Sequence, residues 1–340
     1  MPAEWAAHRA TWLAWPHSED WPGKLQAVTW VFTEIIRQLT RGERVALIIP
    51  TANSRKAISK QLLAAHVELA QIEFFVAPTD RSWTRDFLPQ FVTRKTGQPR
   101  LGAVKFRFNG WARYPDHKLD DLAGGLVADR CALHWLPAAQ GRRVVLEGGS
   151  IDVDGEGTLL TTERCLLGKP FQRNRGLKRQ AIERILGDHL GTQHTIWLPD
   201  GIAGDDTAGH IDDLARFVAP GVVVVIQEKN RKDENYKVLA ECRDRLLAAR
   251  DAKGRKLEVI ALPMPAPVAF GSDRLPASYA NFYIGNEVVL VPTFNDPADR
   301  IALGILAELF PKRRVTGIHA TDLVLGLGTI HCSTQQEPAA

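Results

Sequence analysis

Cys332 lies in the glycine-rich stretch Gly326-Leu327-Gly328-Thr329-Ile330-His331-Cys332-Ser333-Thr334-Gln335-Gln336. Glycines let a backbone take positive φ and come close to other segments, which suits an exposed loop that presents one thiol into a cleft. A thiol attacks only as its thiolate, so a nucleophilic role for Cys332 demands a general base and positive charge from elsewhere in the fold. The other reading is a buried, inert cysteine that packs as a small hydrophobe.

Three further stretches hold side chains that could supply the rest. In Trp83-Thr84-Arg85-Asp86, Asp86 beside Arg85 is compatible with a surface ion pair. In Leu146-Glu147-Gly148-Gly149-Ser150, Glu147 is either a turn residue or a buried acid. The densest polar stretch is Gly204-Asp205-Asp206-Thr207-Ala208-Gly209-His210-Ile211-Asp212-Asp213. Asp205, Asp206, His210 and Asp212 could ring a divalent cation, since hard ions take carboxylates and His is a common ligand. They equally suit acid–base work beside a cationic substrate. The metal reading leaves Cys332 and Glu147 without a role.

These residues are far apart, so the elements between them must bring them together. Apolar spacing predicts helices over 24–39, around Ile58, Leu62 and Leu69, and over 120–128, 177–186, 236–249 and 297–309. Strands are expected at 12–16, 45–50, 72–76, 132–136, 194–198, 257–262 and 315–318. Hairpins are expected over 90–106, 144–162, 214–226 and 281–291. The order hairpin, helix, strand recurs. The polar landmarks keep the same interval: 61 residues from Asp86 to Glu147, 63 from Glu147 to His210 and 122 from His210 to Cys332. That interval places one more central loop near residue 271, in Ala269-Phe270-Gly271-Ser272-Asp273-Arg274-Leu275-Pro276. At about 61 residues per unit the chain holds five to six units arranged around one axis. An open α/β sheet is the alternative, but the hairpins interrupt its strand–helix alternation.

Composition narrows the function classes. The 340 residues are 45% hydrophobic and carry a net charge of +4 without a basic block, so a nucleic-acid footprint is not expected. The clusters Arg173-Asn174-Arg175 and Lys312-Arg313-Arg314 read as solvated surface. Met1 to Trp21 lacks the apolar run of a signal peptide, and Val222-Val223-Val224-Val225-Ile226 is a buried strand, too short to span a bilayer. Cys131, Cys165, Cys242 and Cys332 are scattered, which implies reduced thiols and a cytoplasmic protein.

Taken together, Trp83–Asp86, Glu147–Ser150, Leu160-Thr161-Thr162-Glu163-Arg164-Cys165-Leu166-Leu167, Asp206–Asp212 and Ile330–Pro338 resemble, in order and spacing, the agmatine deiminase family. That family includes the bacterial-type peptidylarginine deiminases and lies within the pentein guanidine-modifying superfamily. Met1-Pro2-Ala3-Glu4-Trp5 and Trp12-Leu13-Ala14-Trp15-Pro16 look similar too, so the resemblance spans the whole chain.

The resemblance implies an α/β fold, a five-bladed pseudo-symmetric propeller of ββαβ units, as a single catalytic domain over residues 1–340. It implies Cys332 as nucleophile, His210 as general acid/base, Glu147 as the carboxylate paired with that His, and Asp86 and Asp212 as the clamp on a guanidinium. Trp83 and Trp111 are expected along the substrate's methylene chain, and Arg274 is the candidate partner for a substrate carboxylate. No metal or organic cofactor is expected. The expected partner is a small guanidino molecule, agmatine ahead of free or peptide-terminal arginine, with a homodimer allowed and neither nucleic acid nor membrane involved. Leu327, Thr329 and Gly168 depart from the family pattern and bear on the mouth of the site. A non-catalytic ligand-binding propeller is the remaining alternative.

Overall fold

A computed structural model of the chain describes every residue except Ser18 and Lys95. Among the described residues, five sheets share one plan: a first strand runs antiparallel to a second, and a helix then returns the chain to a third strand parallel to the second. Two of the second strands are nearly continuous apolar runs, and burial follows. Val222–Gln227 and Val288–Thr293 hide their central side chains completely, at roughly 1.5–3 kcal/mol for each Val, Ile or Leu removed from water.

The five sets are Gln90–Thr93, Leu101–Val104 and His134–Trp135; Asp152–Val153, Thr158–Thr162 and His194–Leu198; Ala215–Ala219, Val222–Gln227 and Glu258–Pro263; Tyr283–Ile284, Val288–Thr293 and Arg314–His319; and Gln335–Pro338, His8–Ala14 and Arg44–Ile49. The last set joins the two ends of the sequence and adds Ile72–Val76 at its edge. The connecting helices are Lys118–Ala128, Arg179–Leu190, Asn235–Ala248, Pro297–Leu309 and Leu25–Leu39. Pro297–Leu309 starts where its sequence says: Asp296 accepts from Ala298 N–H, Asp299 accepts from Asp296 N–H, and proline fills the first turn. Leu25–Leu39 buries Val28, Phe32, Ile35, Ile36 and Leu39.

Some expectations shift. Leu69 belongs to a separate 3-10 turn, and the stretch 144–146 forms only a bridge from Val145 to Arg107. The loop expected at the centre near residue 271 is a small hairpin, Ala269–Phe270 against Asp273–Arg274. What does repeat is position: each first strand is entered through a turn holding a polar residue within five positions of it. Those residues are Asp86, Glu147, Asp212, Asn281 and Cys332.

Candidate active site

The thiol sits deeper than its glycine-rich flank suggests. Cys332 is 7% exposed, so it is buried and not displayed on an open loop. Leu327, not a glycine, takes the left-handed conformation, at φ 67°. The glycines serve close approach instead: a Cβ on Gly326 would lie 2.6 Å from Trp21 Nε1, and one on Gly328 would lie 2.8 Å from the Trp83 ring and 3.1 Å from Cys332 Cβ. Trp21 anchors the turn further by donating to Leu323 O at 2.8 Å. The indoles of Trp21 and Trp83 thus buttress the loop that carries the thiol.

Asn281 holds the sulfur. Its Oδ1 accepts from Thr329 Oγ1 at 2.7 Å, His331 N at 3.0 Å and Cys332 N at 3.3 Å. Three donors on one oxygen fix which way the amide points. Nδ2 therefore faces Cys332 Sγ at 3.1 Å and the Asp213 carboxylate at 2.9 Å. Thr329, a departure from the family pattern, is one of the three donors.

The acids converge on the same spot. Asp86 accepts from Trp111 Nε1 and from Gly149 N, both at 2.9 Å. Gly149 has no room for a side chain, since a Cβ there would lie 2.5 Å from His210 Nδ1 and 2.9 Å from Asp86 Oδ1. His210 Nδ1 is 3.8 Å from Asp86 and 4.0 Å from Asp212, while its Nε2 is 3.7 Å from Glu147. Asp212 Oδ2 lies 2.7 Å from His331 Nδ1 and 3.7 Å from Cys332 Sγ. Among the described residues, neither ring nitrogen of His210 nor Asp212 Oδ1 has a hydrogen-bond partner.

Charges follow from this crowding. Burial, with Asp212 and Glu147 nearby, pushes Asp86 up to about 6. Burial and the surrounding Asp212, Asp213 and Asp86 raise the Cys332 thiol well above its ordinary value. Burial opposes a charge on His210, but Asp86, Cys165 and Glu147 outweigh it and raise the imidazole well above 6.5. Glu147 is lowered despite burial because Arg173 and His210 flank it. The unliganded cluster is a thiol and an imidazolium among carboxylates, a site short of positive charge beside the sulfur.

A family model described as the Porphyromonas-type peptidyl-arginine deiminase matches residues 1–338. The chain belongs to this family. The agmatine deiminase of Ectopseudomonas mendocina is 36% identical over 363 residues, covering 100% of this chain and 95% of that protein. That of Pseudomonas putida is 36% identical over 370 residues with the same coverage. Among solved structures, the agmatine deiminase of Enterococcus faecalis superposes with a TM-score of 0.90 at 32% identity, covering 99% of this chain and 95% of that one.

Within this deiminase-family chain the structure brings Asp86, Glu147, His210, Asp212 and Cys332 to one centre, with Trp83 and Trp111 on the wall of the narrow pocket that leads to the thiol. It does not bring Arg274 there. That guanidinium is 3.0 Å from Asp233 and 3.1 Å from Glu234. Nor does the Asp-rich stretch gather its acids around one point. Asp205 caps its own turn, accepting from Thr207 N, Thr207 Oγ1 and Gly209 N. Asp206 accepts from Tyr114 OH at 2.5 Å and faces the pocket, and Asp212 meets His331 through one oxygen, Oδ2.

A different trio, Glu147, Cys165 and His210, has donor atoms within 4.8 Å of one another. Arg173 Nε already bonds both Glu147 oxygens, at 2.9 and 3.0 Å, and its fixed positive charge disfavours a cation at the same carboxylate. Arg173 is itself a correction: expected at the surface, it is 4% exposed. Sequence reasoning also passed over Asn281, His331 and Glu4, and read Asp206 only as a candidate metal ligand. Glu4 Oε2 accepts from Arg85 at 3.1 Å and lies 2.8 Å from His331 Nε2, tying the N-terminus to the centre. Among the described residues no helix is long and apolar enough to cross a membrane.

Proposed function

We propose that the chain hydrolyses agmatine to N-carbamoylputrescine and ammonia through a covalent thiouronium on Cys332. It would act in the cytoplasm as a single catalytic domain whose five sheets are the blades of an α/β propeller around the site. The observation that carries the reading is the buried group of Asp86, Asp212 and Glu147 around a thiol and an imidazole, with hydrogen-bonding capacity left over on Asp212 and His210. A guanidinium is a planar cation with N–H donors in a fixed fork, which two carboxylates grip well. Its charge is also what the sulfur needs, since its arrival favours loss of the thiol proton.

The reaction then runs on groups already in place. Cys332 Sγ, held by Asn281, bonds the guanidinium carbon while Asp86 and Asp212 hold its nitrogens. His210 gives its proton to the departing nitrogen, the C–N bond breaks and ammonia leaves. The same imidazole, now neutral, takes a proton from water as the water oxygen bonds the thiouronium carbon; cleavage of the C–S bond returns the thiol and releases the urea product. Glu147, fixed by Arg173, orients the imidazole and favours its charged form.

The outer end of the pocket supports an amine over a carboxylate. Asp206 lies on that wall, whereas Arg81, the cation beside it, is bonded to Asp20 and Asp116. A buried, unpaired carboxylate would cost roughly several kcal/mol there. Ammonia release over a panel of guanidines tests this: kcat/KM for agmatine should exceed that for arginine and for a peptide ending in arginine by about a hundredfold or more. A preference for either carboxylate-bearing compound overturns the substrate and leaves the deimination chemistry standing.

A further inference from the structure

A cavity of about 570 Å³ lies beside the active site and not in it. Three stretches far apart in sequence each bring two arginines to its wall: Arg107 and Arg113, Arg142 and Arg143, Arg173 and Arg175. No Asp or Glu is among the residues lining it. In a chain with 43 basic and 39 acidic residues, chance would mix the signs.

Two of the six are neutralised from behind. Arg173 pairs with Glu147, and Arg143 lies 3.9 Å from Asp121, which Lys105 also engages at 2.6 Å. Among the described residues Arg113 donates only to the Asp206 backbone oxygen, at 3.3 Å, and it stacks over Tyr114 and Phe171. Arg107, Arg142 and Arg175 are exposed and form no ion pair among the described residues. Among the described residues, Arg143 Nε and His117 Nδ1, both buried, have no hydrogen-bond partner. The hairpin Ala138–Ala139 and Arg142–Arg143 is fixed by Gln140 and Gly141, both at positive φ, so its arginines are presented by defined backbone.

Like charges gathered without counter-charge raise the local potential and draw anions. Guanidinium forks match phosphate oxygens two at a time. The volume lies in the range of small-molecule sites, and three unspent arginines exceed what a single carboxylate can use. We propose that this cavity binds a small molecule bearing two or more phosphate groups, the chemistry shared by inorganic polyphosphates and nucleoside di- and triphosphates.

The test is titration calorimetry on the full chain at fixed ionic strength, with orthophosphate, tripolyphosphate, ADP and citrate as probes. One saturable site is expected, with tripolyphosphate at least tenfold tighter than orthophosphate and than citrate. Tighter ADP assigns part of the site to the nucleoside, and equal affinity assigns it to the phosphates alone; both support the proposal. Arg107→Ala, Arg142→Ala and Arg175→Ala, all at exposed positions outside the catalytic cluster, should each weaken tripolyphosphate at least fivefold with an unchanged melting temperature. Absence of saturable binding, citrate binding as tightly as tripolyphosphate, or affinity unmoved by the three variants overturns the proposal.

Discussion

Replacing Asn281 by Asp probes the sulfur's one amide donor while sparing the loop. The variant keeps the oxygen that Thr329, His331 and Cys332 donate to, so the backbone around the thiol retains its partners. What goes is the N–H aimed at Sγ from 3.1 Å. A hydrogen bond to a charged group contributes about 1.5–3 kcal/mol, and each 1.4 kcal/mol is tenfold in rate, so kcat/KM should fall roughly 10- to 150-fold. The new acid also faces Asp213, whose carboxyl burial already raises well above its usual range. The two would share a proton, and the remaining negative charge makes the thiolate harder to form. The alkaline shift of the rising limb of kcat/KM against pH is therefore the signature, read by ammonia release from agmatine between about pH 5 and 10. By contrast, Asn281→Ala orphans the buried Cys332 N–H and Thr329 hydroxyl at about 1–3 kcal/mol each and should melt measurably lower. An Asn281→Asp enzyme within threefold of the parent, with its rising limb unmoved, refutes the assignment of Asn281 to the thiolate.

Cys332→Ala should leave no turnover and a melting temperature within a few degrees of the parent, since one buried sulfur is lost; activity above a trace removes the covalent mechanism. Because burial and three acids hold the Cys332 thiol neutral, iodoacetamide should be slow on it at neutral pH, whereas a chloroacetamidine, which brings its own cation, should label Cys332 ahead of Cys131, Cys165 and Cys242, with agmatine protecting. Mass-mapped labelling of another cysteine first counts against the site. Asp86 is raised to about 6 in the free protein and a cation lowers it, so the protonated acid competes with the ligand below that pH. Affinity for a non-reactive guanidine should be constant above about pH 7 and fall up to tenfold per unit below about 6; affinity independent of pH places the guanidinium elsewhere. Exhaustive treatment with EDTA should leave full activity, and loss restored by a divalent ion would favour metal chemistry at Glu147, Cys165 and His210.

Much of the strand and helix pattern was legible because apolar spacing alone decides which face of Leu25–Leu39 or Pro297–Leu309 is buried. The central residues were legible through their interval, but the interval failed once. The extra hairpin Ala269–Arg274 stands between the third and fourth sets, so the fourth set's central turn arrives at Asn281, 71 residues after His210 and 51 before Cys332. The sum hid the shift. A rule of position, the polar residue just before each first strand, would have found Asn281 in Ser278-Tyr279-Ala280-Asn281-Phe282. Arg173 and Arg175 show the opposite limit. Two positions apart in one charged cluster, one is buried on Glu147 and the other faces an open cavity, a difference set by tertiary contacts that local composition does not encode.

The four-residue strand Gln335–Pro338 begins three residues after Cys332, and among the described residues its only strand partner is His8–Ala14, from the far end of the sequence. A four-residue strand paired along one edge can open locally below the cost of global unfolding. When it peels away, Asn281 and Asp212 lose the sulfur while the helices and the other four sheets stay folded. Catalytic competence is then a more sensitive gauge of mild destabilisation than circular dichroism. Denaturant or heat should extinguish turnover before any spectroscopic transition, and amide exchange in 335–338 should run ahead of exchange in the central strands by the same margin.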